Sequence, residues 1–338
     1  QINHITKLKH RKYIWLKESH CWSLQQKLRH LDSAYTNFFR RIKKGETPGF
    51  PKYKSRFSKQ SFQLTAITIK FDTKLVKLGN KIGYVDCRFD RTFNTSKIKT
   101  TTISKDKMGR YFVSILVDEE IDIHLNKTDK SIGIDLGIET FATLSNGQKV
   151  NIPNTNKKEK RLKRLQQKLS NKKGSKKGEK KSNNWIRTKQ KINRLYTQMS
   201  DIKNDFYHQL SAELIRSYDN IAIEDLKVSK MKEEKNTFST EIQKVAWYEF
   251  KRQLEYKCSW YNRNLEKVNP MNTTKTCSSC GNIKNLSIRD RVYDCECGNV
   301  MDRDHNAAIN ILNISGLGSS TSKRLSCNIT KSILPCSF

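Results

Sequence analysis

Hydrophobic residues recur along this chain with two different periods, and the change between them separates its regions. In residues 4–44 an apolar stripe repeats at three- and four-residue steps, which places its members on one face of a helix. The stripe consists of Leu24, Leu28, Leu31, Tyr35, Phe38 and Ile42. We predict a helix that buries this stripe in a core and ends before the glycines and prolines of "KKGETPGFPKYKSR".

From about residue 61 to 125 the period becomes that of β-strands. Five segments rich in β-branched and aromatic residues are separated by turn signals such as Gly79-Asn80 and residues 105–109. The segments read "LTAITIKF", "KLVKLG", "KIGYVDCRF", "KIKTTTIS" and "RYFVSILVDEE". Short strands in succession predict a small antiparallel barrel.

Strands and helices alternate after residue 129. "SIGIDLGI" predicts a buried strand, Asn146-Gly147 a hairpin turn, and "NIAIED" and "LEKVN" two further strands. Helices are predicted at about 184–217 and 240–262, and another begins near Asp304. The tail after residue 315 has little periodicity, so we expect it to be poorly ordered. The chain is therefore predicted to be an α+β multidomain protein.

The charge balance indicates a polyanionic partner. The 338 residues include 66 Lys and Arg against 33 Asp and Glu, a formal net charge of +33. Residues 157–191 hold sixteen of these cations and two Glu, and "NKKGSKKGEKKSNN" within them is predicted to be a solvated loop between two helices. We expect nucleic acid to contact Lys172, Lys173, Lys176 and Lys177. The alternative is a solvated face that binds nothing.

Four of the nine cysteines form a candidate metal site. They read Cys277-x-x-Cys280 and, after fourteen residues, Cys295-x-Cys297, with glycine after each pair. Two close thiolate pairs predict a closed, structural Zn²⁺ site, with an iron–sulfur cluster or unligated thiols as the alternatives. The remaining cysteines are scattered, which is typical of a reducing compartment. With no apolar run near the ~20 residues of a spanning helix and no signal peptide, we expect a cytoplasmic protein with no membrane partner.

Two of the predicted strands carry an acid beside small residues. In "SIGIDLGI" strand alternation places Asp135 on one face with Gly133 and Gly137, and in "NIAIED" it places Glu224 beside Ala222. Such neighbours leave room for a metal and a sugar-phosphate backbone to approach. The alternative is that each acid pairs with one of the many Lys and Arg side chains.

A third acid lies at the start of the last predicted helix, in "DRDHNAAIN". We expect Asp304 to ligate a cation, Asp302 to cap the helix, and Ala307-Ala308 to let the helix pack closely on a sheet, although the two acids could exchange roles. Asp135, Glu224 and Asp304 could together bind two Mg²⁺ ions, about 3.5–4 Å apart, for phosphodiester hydrolysis.

These motifs resemble a known family. "GIDLGI", "IAIEDL" and "DRDHNAAIN", with the four-cysteine ribbon before the last, are similar to the split RuvC nuclease motifs of the TnpB family, which is transposon-encoded and related to type V CRISPR effectors. The resemblance implies an RNase H-like (RuvC) core with an inserted zinc ribbon, and an N-terminal β-barrel (wedge) domain carrying recognition helices. The family's first barrel strand is expected to be missing here, because the chain begins at Gln1.

The resemblance also predicts domain bounds. They are 1–45 for a helical recognition region, 46–128 for the wedge barrel, 129–275 for the nuclease core with a basic helical insertion at 155–217, 276–299 for the zinc ribbon, 300–315 for the final RuvC segment and 316–338 for the disordered tail.

The resemblance implies RNA-guided cleavage of double-stranded DNA next to a short adjacent motif, with Asp135, Glu224 and Asp304 as the catalytic triad. The partners would be a guide RNA from the transposon end and the target DNA. The frequent use of Lys, Asn and Ile indicates an AT-rich, bacterial genome, and we expect the protein to be associated with the nucleoid. "KYKSRFSKQSF" offers Tyr53, Lys54, Gln60 and Ser61 for nucleic-acid contacts, or is an ordinary basic loop before a strand.

Three other functions fit part of the sequence. The chain could be a guide-dependent DNA-binding regulator whose nuclease is unused, although such a protein has no need of three unpaired acids. It could be a protein-only recombinase or transposase, since RNase H-like cores serve those enzymes too. A ribosome-associated basic protein would leave the acids unexplained.

Overall fold

The computed structural model describes residues 7–8, 12–54, 60–65, 67–106, 108–119, 125–174, 176, 178–226, 246–287 and 290–317. The chain forms two compact units. The first comprises Gln1–Asp122 with Gln167–Arg194, and the second Ile123–Gln166 with Leu195–Phe338. Both helices and strands are present, as the predicted α+β class requires. The predicted disordered tail lies outside the described residues from residue 318 onward.

The first unit contains one long helix and two small sheets. Helix α1 spans Cys21–Lys43, after a 3₁₀ turn at Ile14–Glu18. The strands are β1 (Gln60–Leu64), β2 (Thr68–Lys70), β3 (Leu75–Lys77), β4 (Tyr84–Asp86), β5 (Ile98–Lys105) and β6 (Tyr111–Val117). They form two antiparallel sheets, ordered β1-β5-β6 and β2-β3-β4. Leu64, Val76, Leu78 and Ile103 from both sheets share one core.

The predicted antiparallel strands are confirmed, but one predicted strand needs a correction and the predicted barrel is not confirmed. "LTAITIKF" is not one strand, because β1 ends at Leu64 to pair with β5, whereas β2 begins at Thr68 to pair with β3. The chain thus changes sheets between these residues. Within the described residues the strands form two separate hydrogen-bonded sheets, and no single closed barrel is observed.

The predicted burial of the α1 stripe is wrong. No residue of α1 is buried, and Leu31 and Ile42 are 50% and 48% exposed. The helix contacts β1 through polar groups, with the Lys27 Nζ donating to the Ser61 carbonyl at 3.0 Å. The two sheets fill their core with their own side chains, so the stripe has no core to enter.

The second unit is built on a five-stranded mixed sheet. Its strands are β7 (Ser131–Leu136), β8 (Ala142–Leu144), β9 (Lys149–Val150), β10 (Asn220–Glu224) and β11 (Asn264–Val268). Their order is β11-β10-β7-β8-β9, with the first three parallel and β8 and β9 added antiparallel. Gly147, with φ +86°, forms the predicted hairpin turn between β8 and β9.

Helices cover both faces of this sheet. They are α3 (Asn183–Ser217), α4 (Trp247–Trp260) and α5 (Arg303–Ile314), and α2 (Asn156–Ser170) precedes α3 in the chain. On one face, Ile134 and Ile223 share a core with Tyr207 of α3 and Phe250 of α4. On the other, Ala222 packs against Ile311 of α5. The predicted start of α4, residues 240–245, lies outside the described residues.

The predicted basic loop between two helices is confirmed. The described residues between α2 and α3 are non-helical, the Gly174 N–H donates to the Glu179 carboxylate at 2.8 Å, and the Lys181 ammonium lies 4.6 Å from the centre of the Trp185 ring. Within the described residues, we find no helix long and apolar enough to span a membrane.

The predicted reason for the glycines around Asp135 is wrong. A Cβ at Gly133 would lie 2.2 Å from the Ala308 carbonyl oxygen, and one at Gly137 would lie 2.6 Å from the Thr140 carbonyl oxygen. The missing side chains therefore make room for protein backbone, not for a metal or a sugar-phosphate. Gly133 lets α5 pack directly on β7, and the completely buried Ala307 and Ala308 confirm the predicted close packing of this helix.

We expect Gly133→Ala to destabilise the second unit by about 3 kcal/mol, because a methyl group cannot fit between β7 and α5 without moving one of them. The thermal unfolding temperature should fall by roughly 6–12 °C. Gly49→Ala is the control, since its Cβ would meet only the Arg41 guanidinium at 3.9 Å. Equal unfolding temperatures for the two variants would contradict this packing.

Candidate active site and metal centre

Asp135 and Glu224 lie on neighbouring parallel strands at the same end of the sheet. Asp135 is the fifth residue of β7 and Glu224 the last of β10. The register pairs Ile134 with Ile223, so the two acids follow at adjacent positions on strands that are about 4.8 Å apart. They point to the face that α5 covers, because the flanking isoleucines enter the opposite core.

Asp302 and Asp304 have different roles at the start of α5. Asp302 is the N-cap, and its Oδ1 accepts from the backbone N–H groups of Asp304 and His305 at 3.1 and 3.2 Å. Its Oδ2 pairs with the Lys149 ammonium at 2.7 Å. The predicted cap is confirmed, and the exchange of roles is disfavoured because both Asp302 oxygens are engaged. Asp304 lies in the first turn of α5, where its charge acts on Asp135.

The electrostatics of the acids are unfavourable without a cation. Burial, followed by repulsion from Glu224 and Asp304, raises the pKa of Asp135 well above its ordinary value of 3.8. Burial also raises the pKa of Glu224, although the Thr273 hydrogen bond and the Lys251 charge act in the opposite direction. By contrast, the pKa of Asp302 is lowered, since the Lys149 and N–H hydrogen bonds outweigh its burial.

The donor set suits a hard divalent cation. Carboxylate oxygens are the ligands that Mg²⁺ accepts in small number, keeping waters and phosphates for its other positions. The Arg303 guanidinium lies 3.5 Å from the Asp304 Oδ1, and Lys251 pairs with Asp225 at 2.8 Å and not with Glu224. The charge of Arg303 acts on Asp135 and that of Lys251 acts on Glu224, and both reduce the local negative charge.

The four cysteines come together as predicted. Cys277, Cys280, Cys295 and Cys297 place their sulfurs within 4.8 Å of one another. The Cys277–Cys297 and Cys280–Cys295 sulfur distances are 3.7 and 3.6 Å. A tetrahedron with zinc–sulfur bonds of ~2.3 Å has edges of about 3.8 Å, so this geometry fits a Zn²⁺ ion.

Hydrogen-bond donors converge on the sulfur of Cys277 and favour its thiolate form. Burial alone would raise its pKa, but N–H donors from Cys280, Asn299 and Ser279 lower it. The Asn299 amide nitrogen is 3.4 Å from this sulfur. Around the cysteines, β12 (Val292–Asp294) and β13 (Val300–Asp302) form a two-stranded ribbon that leads directly into α5.

Two buried asparagines join α5 to the loop that precedes the ribbon. The Asn306 side chain accepts from the Ser278 N–H at 2.9 Å and donates to the Thr276 carbonyl at 2.7 Å. The Asn310 amide donates to the carbonyls of Thr273 and Thr276 at 2.9 and 2.6 Å. The ribbon thus holds the helix that carries Asp304, as predicted.

Sequence reasoning missed these asparagines and also Thr273. The Thr273 hydroxyl contacts the Glu224 Oε1 at 2.5 Å. A signal for the asparagines was present, since Asn306 and Asn310 are four residues apart on the apolar face of α5. Thr273 had no such signal, because a threonine in a loop predicts nothing about a carboxylate 49 residues away.

The predicted nucleic-acid contacts lie mostly on exposed surface. Tyr53 and Lys54 are exposed before a gap in the described residues, and Lys173 and Lys176 are exposed in the loop after α2. Gln60 is exposed at the start of β1, and the next residue, Ser61, is half-buried. Lys172 is also half-buried. Lys177 lies outside the described residues. Contact with nucleic acid stays a prediction at all eight positions.

The raised pKa of Asp135 gives a pH-dependent stability. The folded chain binds this proton more tightly than the unfolded chain does, so stability should fall as pH rises from about 4 toward the raised pKa. In Mg²⁺-free, zinc-loaded protein, Asp135→Asn should make the unfolding temperature depend less on pH. At the higher pH values of this interval, the variant should unfold at a higher temperature than wild type. Asp72→Asn makes the same change at an exposed site, and an effect as large there would contradict this account.

We expect about one Zn²⁺ per chain in the purified protein, measured by elemental analysis. Cys295→Ser should lose the zinc and lower the unfolding temperature, because structural zinc supplies folding free energy. Cys21→Ser alters an exposed cysteine outside the cluster and should change neither quantity. Zinc retained at full occupancy by Cys295→Ser would show that these cysteines are not the ligands.

The chain matches two protein-family models. Residues 114–235 match the family described as "Probable transposase", and residues 247–311 match the one described as "Cas12f1-like, TNB domain". The first match includes Asp135 and Glu224, and the second includes the four cysteines and Asp304. Together the two matches therefore contain the candidate acids and the cysteine cluster described above.

The fold is shared with a solved structure. A chain in the "Cryo-EM structure of the Cas12f1-sgRNA-target DNA complex" superposes with a TM-score of 0.53 over 91% of this chain and 75% of that chain, at 17% identity. At this identity the likeness concerns the fold alone. It places the chain in the same overall structural class as that protein.

Two relatives decide the family. A "Putative RNA-guided DNA endonuclease" of Streptomyces pristinaespiralis is 34% identical over 90% of this chain and 74% of its own length. "Putative RNA-guided DNA endonuclease InsQ" of Escherichia coli (strain K12) is 32% identical over 88% of this chain and 75% of its own length. The likeness to both relatives extends over most of the chain, and the protein therefore belongs to the TnpB family.

Proposed function

We propose that this protein is an RNA-guided endonuclease that cleaves double-stranded DNA with Asp135, Glu224 and Asp304 as its catalytic acids. The observation that carries the proposal is the convergence of three carboxylates from β7, β10 and α5, despite the burial and repulsion that raise the pKa of Asp135. A fold that needed these residues only for stability would gain from replacing them with neutral side chains. The unfavourable free energy of bringing these carboxylates together is understandable if they act on a substrate.

The three acids would hold Mg²⁺, for which their hard oxygen ligands and negative charge are suited. Two such ions would supply the positive charge that activates a water and stabilises the leaving 3′ oxygen of a phosphodiester. The chain itself would orient the ligands. The pairing of β7 with β10 places Asp135 and Glu224 side by side, and the Asp302 cap fixes the start of the helix that bears Asp304.

An RNA guide accounts for the charge of the chain. A net charge of +33 exceeds what solubility needs and suits a protein that holds RNA and DNA together. Guide pairing would read most of the target sequence, while the protein would contact backbones and a short adjacent motif. We infer that the guide comes from the end of the transposon that encodes the protein, as the family resemblance implies.

The test begins with purification of the protein from cells that carry its native flanking DNA. Sequencing of the bound RNA should give one abundant species that maps to the end of the element and ends in a variable 3′ segment. If the bound RNA is only random cellular RNA, the proposal of an RNA guide loses its basis. Strand transfer without RNA would favour the protein-only transposase, which the family description "Probable transposase" keeps as a second candidate.

In an assay with matching DNA and Mg²⁺, three single variants should each lower the cleavage rate by at least about 10³-fold: Asp135→Ala, Glu224→Ala and Asp304→Ala. Each variant removes a proposed ligand of Mg²⁺, and the charge of that ion would stabilise the transition state. DNA binding by the RNA–protein complex should be retained, which gel shift can measure.

Asp302→Asn is the matched control for Asp304→Asn. Asparagine caps helices about as well as aspartate, so the former should cleave within a fewfold of the wild-type rate and the latter should be inactive. An inactive Asp302→Asn together with an active Asp304→Asn would show that Asp302 is the catalytic acid.

A further inference from the structure

The buried hydroxyl of Thr273 lies against one of the proposed catalytic acids. Its Oγ1 is 2.5 Å from the Glu224 Oε1, and the two residues are 1% and 5% exposed. Thr273 belongs to the loop between β11 and the first cysteine pair, so the contact links a part of the chain outside the central sheet to the end of β10. Among the described residues, Thr273 is the one hydrogen-bond donor to this carboxylate.

The chemistry fixes the direction of this hydrogen bond. A threonine hydroxyl has one proton, and an ionised carboxylate can only accept. The Pro270 carbonyl is a competing acceptor at 3.2 Å, which is the longer contact. With Glu224 ionised, Thr273 therefore donates to Oε1 and leaves Oε2 for another ligand.

Thr273 is itself held in place from the opposite side. Its carbonyl accepts from the Asn310 amide of α5 at 2.9 Å, and Asn310 also binds the Thr276 carbonyl one residue before Cys277. One loop residue is thus fixed by the helix that bears Asp304 and in turn contacts Glu224. The neighbouring cation Lys251 does not replace this contact, because its ammonium pairs with Asp225.

We propose that Thr273 is a positioning residue that orients the Glu224 carboxylate toward the divalent cation of the active site. This inference rests on the proposed function, since it assumes that Glu224 is a metal ligand. Glutamate has three side-chain torsions, and at the end of a strand the backbone alone does not select among them. Partners that orient a metal ligand in this way typically change metal affinity or activity by 10–100-fold when they are lost.

Binding of Mn²⁺ to the full-length, zinc-loaded protein without RNA tests the proposal independently of cleavage. Electron paramagnetic resonance can count free Mn²⁺ during a titration, and Glu224→Gln identifies which part of the binding belongs to this site. We expect Thr273→Val to raise the dissociation constant at this site by roughly tenfold or more, because valine keeps the shape but has no proton to donate. Thr273→Ser keeps the hydroxyl and should remain within about threefold of wild type.

Thr274→Val is the matched control, since it makes the same chemical change one residue away. Equal Mn²⁺ affinity in Thr273→Val and wild type would overturn the proposal, and so would a loss in Thr273→Ser as large as that in Thr273→Val. An equal loss in Thr274→Val would also overturn it, because the whole loop and not this hydroxyl would then be responsible. If wild type has no Mn²⁺ site sensitive to Glu224→Gln, the proposed catalytic metal site fails as well.

Discussion

Repulsion among three carboxylates, two of them buried, is the constraint on which the second unit of this protein depends. Burial, followed by the charges of Glu224 and Asp304, raises the pKa of Asp135, and the acids themselves provide no attraction. Packing must therefore hold them together. The direct contact of α5 with β7 at Gly133, and the apolar core beneath both strands, supply that packing.

The zinc ribbon extends this constraint beyond the sheet. It occurs in the sequence immediately before α5, and its preceding loop binds the helix through Asn306 and Asn310. A helix of only 12 residues would otherwise fray at low cost. With the cysteine cluster before its first residue and two buried amides along its length, α5 presents Asp304 at a fixed place. A cluster with the geometry of a structural zinc site thereby supports the site where chemistry is proposed.

The sequence predicted the elements that alternation and metal chemistry define. Period-two alternation predicted that Asp135 and Glu224 lie on the faces of their strands opposite the isoleucines, and the cysteine spacing predicted a cluster that the structure assembles. Local chemistry also identified Asp302 as the cap of α5. These features depend on residues that are near one another in the chain.

Features that depend on distant residues could not be predicted in this way. The helical stripe of α1 has the spacing of a core face, yet nothing in it reveals that the neighbouring sheets fill their own core. Gly133 was predicted to make room for a ligand. Its true neighbour, the Ala308 carbonyl, is distant in the sequence and comes close only in the folded chain. The contact of Thr273 with Glu224 is of the same kind.

The three acids are proposed to form a divalent-cation site. Anomalous diffraction from crystals of the full chain soaked in Mn²⁺ tests for this site most directly. We predict Mn²⁺ peaks in contact with Asp135, Glu224 and Asp304, and two fully occupied ions would be about 3.5–4 Å apart. No peak at these acids, in crystals where zinc is present at the four cysteines, would contradict the account.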